Sequence, residues 1–231
     1  MTDWRPPILL ASIILSGTLV YIAFANYYGQ EWPSIVLLNN DFRYWTREPQ
    51  GGLKPYMWTI DYFRGGNDRI SLKPTHIAGR ECMEISIYHD GLNDSYTWAS
   101  VHIRQEIRGQ ALREFLKSKI GIWLYVNFSY KYTGEMKQPL NVFGVEINDG
   151  SNLLWFVFSD SKSEAYDLPR HRIVIVETPL HQWVYREIDV GAEYAKLTRK
   201  QPNSLSFSFM MGSTKNLPGT FQGYFSKVLA D

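Results

Sequence analysis

Three carboxylates near position 190 have the residue types and the spacing to raise a chemical question. Glu187, Asp189 and Glu193 follow the strand-like run Trp183-Val184-Tyr185-Arg186. In an extended strand alternate side chains share a face, so Glu187 and Asp189 would point the same way, as a carboxylate pair for acid–base or nucleophilic work requires. Glu193 comes six positions after Glu187, roughly 20 Å further at about 3.3 Å per residue, too far to join them. The expectation is a solvated strand end: no catalytic residue is assigned, and these three acids are the named candidates.

Aromatic residues form the second group. Trp123 and Tyr125 alternate with Leu124 and Val126, and Trp183 shares its phase with Tyr185, Glu187 and Asp189, an unusually polar face for a core. Planar rings on a sheet face stack against the apolar side of a sugar ring, so Trp123, Tyr125, Trp183 and Tyr185 are the candidate ligand-binding residues. Trp58, in phase with Ile60 and Tyr62, reads as core. For metals, the oxygen-rich turn His89-Asp90-Gly91-Leu92-Asn93-Asp94 offers Asp90, Asn93 and Asp94 to a structural Ca²⁺, but without the order of a calcium-binding loop. The five histidines show no metal-ligand spacing, and no serine elbow, phosphate-cradling loop or dinucleotide fingerprint is present. No cofactor is expected.

These groups need elements to hold them. The chain has 231 residues, 24 Lys+Arg against 23 Asp+Glu, a net charge of +1 and a single cysteine. Balanced charge argues against a nucleic-acid partner. One cysteine excludes an internal disulfide framework, and Cys82 reads as a small buried hydrophobe. Ile8 to Ala25 is an almost unbroken apolar run, about 27 Å long as a helix, near the thickness of a bilayer core. It reads as an N-terminal transmembrane anchor, or as a signal segment cleaved after Ala25. Either way residues 31–231 form an extracytoplasmic domain and 1–30 its address. The triplets Asn93-Asp94-Ser95 and Asn127-Phe128-Ser129 are formal glycosylation acceptors that fit export.

Beyond Gln30 short alternating runs are broken by turn residues every 10–15 positions, as in an all-β sandwich or barrel. About eleven strands are expected, among them Glu81–His89, Thr97–Ile107, Ile122–Tyr132, Asn141–Ile147 and Leu205–Met211. Asn148-Asp149-Gly150 is a hairpin signal, and one short helix is expected at Gln110–Lys117. The predicted fold is a two-sheet antiparallel β-sandwich of jelly-roll type, preceded by one transmembrane helix.

The second half, Gly121-Ile122-Trp123-Leu124-Tyr125, then Trp183 to Val190, then Gly223-Tyr224-Phe225-Ser226-Lys227-Val228-Leu229, resembles jelly-roll carbohydrate-binding modules and the wider galactose-binding-like sandwiches. The likeness covers roughly residues 110–229. Ser226 and Lys227 stand where that pattern usually has paired acids, which speaks against a calcium site there. Glu187 to Glu193 also resembles the E-x-D-x-E strand of laminarinase-type glycosidases, in which the first acid is the nucleophile and the last the acid/base, but here the spacing is too long. The resemblance implies a non-catalytic glycan-binding domain. An accessory subunit of a membrane complex, its span packing on partner helices, fits the same layout. The alternative is a jelly-roll glycoside hydrolase acting on β-glucan-type polysaccharide.

Overall fold

A computed structural model describes residues 37–49, 51–63, 68–89, 98–129, 132–133, 138–139, 141–214 and 218–230. The apolar run Ile8–Ala25 and the turn carrying Asp90, Asn93 and Asp94 lie outside these residues. Among the described residues no helix is long and apolar enough to cross a membrane.

Two sheets carry the domain. The larger contains β3 (Thr59–Phe63), β6 (Trp98–Arg108), β15 (Ser204–Thr214), β10 (Asn141–Asn148), β11 (Leu153–Ser159), β13 (His171–Glu177) and β12 (Glu164–Leu168), in the order β12-β13-β11-β10-β15-β6-β3. The smaller contains β4 (Arg69–Ile77), β5 (Arg80–His89), β7 (Ile120–Val126), β14 (Trp183–Ile188) and β16 (Gly219–Ala230), in the order β14-β7-β16-β5-β4. Two short ribbons, β1 (Trp45–Arg47) with β2 (Leu53–Pro55) and β8 (Tyr132–Thr133) with β9 (Gln138–Pro139), complete the strands. Among the described residues two helices, α1 (Gly109–Phe115) and α2 (Val190–Leu197), link them.

Period-two patterning builds the core between the sheets. Leu205, Phe207, Phe209 and Met211 of β15 point inward, as do Val101, Ile103 and Ile107 of β6. From the smaller sheet Met83, Ile85, Ile87, Ile122, Leu124 and Val126 meet them, all without solvent exposure. Phe143 of β10 and Phe225 of β16 stack across the interface, centroids 4.2 Å apart. A Cβ at position 223 would lie 2.3 Å from the Phe143 ring, so only Gly223 admits that stack. Trp58 is 1% exposed and sits 5.3 Å from Phe209, the core role its phase predicts. Truncating such a ring costs about 3–5 kcal/mol.

Residues 37–44, just before β1, pack onto both sheets through Gln105 of β6 and Val228 of β16. Leu37 and Phe42 are buried there, and the inward Gln105 amide both accepts from the Leu38 N–H (2.9 Å) and donates to its carbonyl (2.6 Å). Cys82 is 3% exposed, and burial pushes its thiol up to about 12, as expected of a buried small hydrophobe.

Among the described residues sixteen strands form where about eleven are expected, and the fold departs from the expected plan in two further ways. The sandwich is not wholly antiparallel: β13 runs parallel to β11 because it inserts between β11 and β12 and turns back on β12. A left-handed residue, Arg170 (φ 59°), makes that turn. The second difference is α2, where a continued strand end had been expected. Asp189 stops β14 by taking the N-cap position and accepting the Ala192 N–H at 2.8 Å.

Candidate functional site

The end of β14 accounts for the three candidate acids. Glu187 is exposed on the edge strand, Asp189 is a helix cap, and Glu193 lies inside α2. Glu193 bonds the Arg172 Nε at 2.8 Å and Lys196 at 2.6 Å, and Arg172 also bonds Asp167. Burial would raise the Glu193 pKa, but the bonds from Lys196 and Arg172 outweigh it and hold the group below its ordinary value. The network fastens α2 to β13, and the three acids share no face.

The four aromatic candidates do come together. Register pairs Trp183 with Tyr125 and Tyr185 with Trp123 on the outer face of the smaller sheet. The rings interlock: Trp123 and Tyr185 at 5.5 Å, Tyr125 and Trp183 at 5.8 Å, Tyr125 and Tyr224 at 5.5 Å. The Arg80 guanidinium lies 3.8 Å over Trp123, and the Trp183 indole donates to the Ile77 carbonyl at 3.0 Å. Gly121 leaves room for the Tyr185 ring, whose hydroxyl would stand 2.0 Å from a Cβ there. Each ring thus already has neighbours on its faces or edges, and a ligand stacking on Trp123 must displace Arg80.

The outer face of the larger sheet is built differently. Strand β15, between β10 and β6, presents Ser204, Ser206 and Ser208 outward, between its inward Leu205, Phe207 and Phe209. Small side chains on β15 leave a trough of about 670 Å³ along the face. One wall comes from His102, Arg104 and Glu106 of β6, with Asp61 of β3 behind them. Glu146 and Asn148 of β10 and the Asp149-Gly150 turn form the other. The ladders place Trp155, Glu146, Ser208, Arg104 and Thr59 in one row across five strands.

Glu146 anchors this row. One carboxylate oxygen accepts from the Trp155 indole at 2.9 Å, and the other lies 3.4 Å from His102 Nδ1. His102 Nε2 stands 3.3 Å from the Ser100 hydroxyl, an arrangement satisfied by a proton on Nδ1 shared with Glu146 and a hydroxyl donated to Nε2. Burial pushes the Glu146 pKa up, yet the hydrogen bonds from His102 and Trp155 help to outweigh it, so the acid is held below its ordinary range and stays ionised. Trp155 packs edge-on against His171 at 4.6 Å, and burial lowers the His171 pKa, keeping that ring neutral. Asp61 pairs with Arg104 at 3.0 Å and Glu106 with Arg108 at 2.6 Å.

Among the described residues no group of three His, Cys, Asp or Glu side chains is arranged to hold a metal. At the bulge of β16, Ser226 is buried and donates to the Glu81 carbonyl at 2.7 Å, and Lys227 pairs beside Trp123. His89 and His102 do not meet: His89 is buried against Asp68 at 2.8 Å, on another sheet from His102.

The two-sheet sandwich resembles those of carbohydrate-binding modules. Among similar solved structures are a study of carbohydrate-binding modules from the β-sandwich superfamily (9% identity, TM-score 0.40, covering 81% of this chain and 71% of that one). Another is the family 11 module from Clostridium thermocellum in complex with a β-1,3-1,4-mixed-linked tetrasaccharide (12%, TM-score 0.38, 80% and 92%). A third is the family 12 xyloglucanase from Bacillus licheniformis (9%, TM-score 0.35, 75% and 98%). No family model matches the chain, and no curated protein matches it.

Proposed function

We propose that this domain binds a polysaccharide chain non-catalytically, along the serine-floored trough of its larger sheet. The observation that carries the reading is a polar trough with Glu146 held ionised in its wall and Arg104 facing it across Ser208. Carboxylate, guanidinium, imidazole and hydroxyl groups there match the donors and acceptors of sugar hydroxyls. The aromatic ladder of the smaller sheet is the second candidate surface, with Trp123, Tyr125, Trp183 and Tyr185 as its ligand-binding residues, but its rings are already engaged.

Hydrolysis is less well supported. Glycosidases place two carboxyl groups about 5–9.5 Å apart, one of them protonated or nucleophilic. Glu106 and Asp61 stand two and three strands from Glu146, about 10 and 14 Å by strand spacing alone, and both pair with arginines. The apolar run Ile8–Ala25 supports an extracytoplasmic, membrane-tethered placement, in which the domain would hold glycan near the surface or serve as an accessory subunit of a membrane complex.

Affinity electrophoresis through gels containing xyloglucan, mixed-linkage β-glucan or other neutral polysaccharides tests the reading. Retardation by at least one polymer, lost in Glu146→Ala, is the expected result. Unretarded migration in every gel overturns it.

A further inference from the structure

Beyond the Asp149-Gly150 turn lies a second depression of about 610 Å³, lined by Arg170, Thr198, Lys200, Gln201 and Asn203. It shares Asp149 and Ser204 with the trough, so the two are contiguous across a single ridge. That ridge is pinned. Asp149 accepts the backbone N–H groups of Ser151 (2.7 Å) and Asn152 (2.6 Å), the Asn152 side-chain amide (2.8 Å) and the hydroxyl of Tyr194. Asn148 accepts the Gly150 N–H at 2.7 Å, and Tyr194 is buried on α2. The Asp149 carboxylate is occupied by the ridge's own donors, so it shapes the passage and leaves recognition to the residues on either side.

We propose that trough and basin form one cleft for a linear, uncharged glycan long enough to cross the Asp149 ridge, with Arg170 and Lys200 holding the far end of the chain. This rests on the trough being a glycan site. The chemistry of the two halves supports it. The trough sets three carboxylates, Asp61, Glu106 and Glu146, beside Arg104, so a polyuronate would meet like charge along most of its length. The basin adds two exposed cations whose N–H groups donate to hydroxyl and ring oxygens. A neutral chain is accommodated by both halves. A short oligosaccharide fills the trough and does not reach Arg170 or Lys200.

Isothermal titration with cello-oligosaccharides from cellobiose to cellohexaose, and with polygalacturonate, tests this on the whole protein. Affinity should climb through the longest member. Arg170→Ala/Lys200→Ala should weaken cellohexaose binding about tenfold while leaving cellobiose unchanged. Polygalacturonate should not bind. Lys200→Ala alone, at an exposed position, serves if the double variant loses its cooperative melt; its expected loss is about threefold on cellohexaose only. Unchanged cellohexaose affinity in these variants, with Glu146→Ala still weakening binding, would end the cleft at the ridge and leave the trough reading intact. Binding of polygalacturonate as tight as that of cellohexaose overturns the uncharged class. Failure of the wild-type protein to bind every cello-oligosaccharide, together with unretarded migration in every polysaccharide gel, overturns both readings.

Discussion

The outer faces of the two sheets solve opposite problems with similar backbones. The smaller sheet gathers Trp123, Tyr125, Trp183, Tyr185 and Tyr224 in one cluster and spends them on each other and on Arg80, while Tyr88 on the same face lies under Arg69. The larger sheet carries serine at three alternate positions of β15 and leaves a trough between charged walls. Aromatic content alone therefore does not mark a site. A sheet face becomes a site where side-chain volume is withheld and the polar groups around the gap are held at fixed orientation, as Trp155 and His102 hold Glu146. The aromatic face has less volume left to give.

The sharpest way to break this contrast is to fill the gap. Ser206→Trp places a large side chain on the floor and should abolish polysaccharide retention, more than a hundredfold in affinity, with a melting temperature close to wild type. Next is Glu146→Ala, which removes a charged acceptor and strands the Trp155 indole; a loss of about 10–100-fold in binding is expected, the worth of a charged hydrogen bond. On the other face, Trp183→Ala should cost about 2 kcal/mol in chemical denaturation, since a half-buried indole and its bond to Ile77 are lost, and leave retention unchanged. Smallest is Arg80→Ala, about 0.5–1 kcal/mol of stability from the cation–π contact over Trp123, again with binding intact. If Trp183→Ala or Arg80→Ala removed binding while Ser206→Trp did not, the assignment of the faces would be reversed.

Acid should act on the trough in one direction. Glu146 has a lowered pKa, so its contribution to stability is present above the ordinary glutamate value of 4.5 and is lost as pH falls through the lowered one. His171 also has a lowered pKa, so the unfolded chain takes up its proton first as pH drops past 6.5, and stability falls from there down. Melting temperature should decline from pH 7 toward pH 4. His171→Gln should flatten the upper part of that decline in a differential scanning series, and a profile unchanged by the substitution would contradict the assignment.

Much of this architecture is legible in the sequence, because inward alternation follows from local order. The strands around Met83–Ile87 and Leu205–Met211 and the buried phase of Leu124 and Val126 can all be read from the chain. So can the helix near Leu112 and Phe115. The α2 helix is hidden because Gly191 stands in its first turn and Glu193 follows its cap by four residues instead of three, off the spacing of a capping box. Its one local signal is Asp189 itself, a good N-cap residue. The Trp123/Trp183 cluster is predictable by phase, but phase does not show that Arg80 from another hairpin lies across it. The trough is legible only in part: Ser204-x-Ser206-x-Ser208 between apolar residues marks a floor. Its walls come from Asp61, Arg104 and Glu146, joined by a register that no local pattern encodes.

A crystal structure of the protein with a bound neutral oligosaccharide would test the central claim most directly. The account predicts the sugar lying over Ser206 and Ser208, its hydroxyls within hydrogen-bond distance of Glu146 and Arg104. A sugar ring stacked on Trp123 or Trp183, with the trough empty, would contradict it.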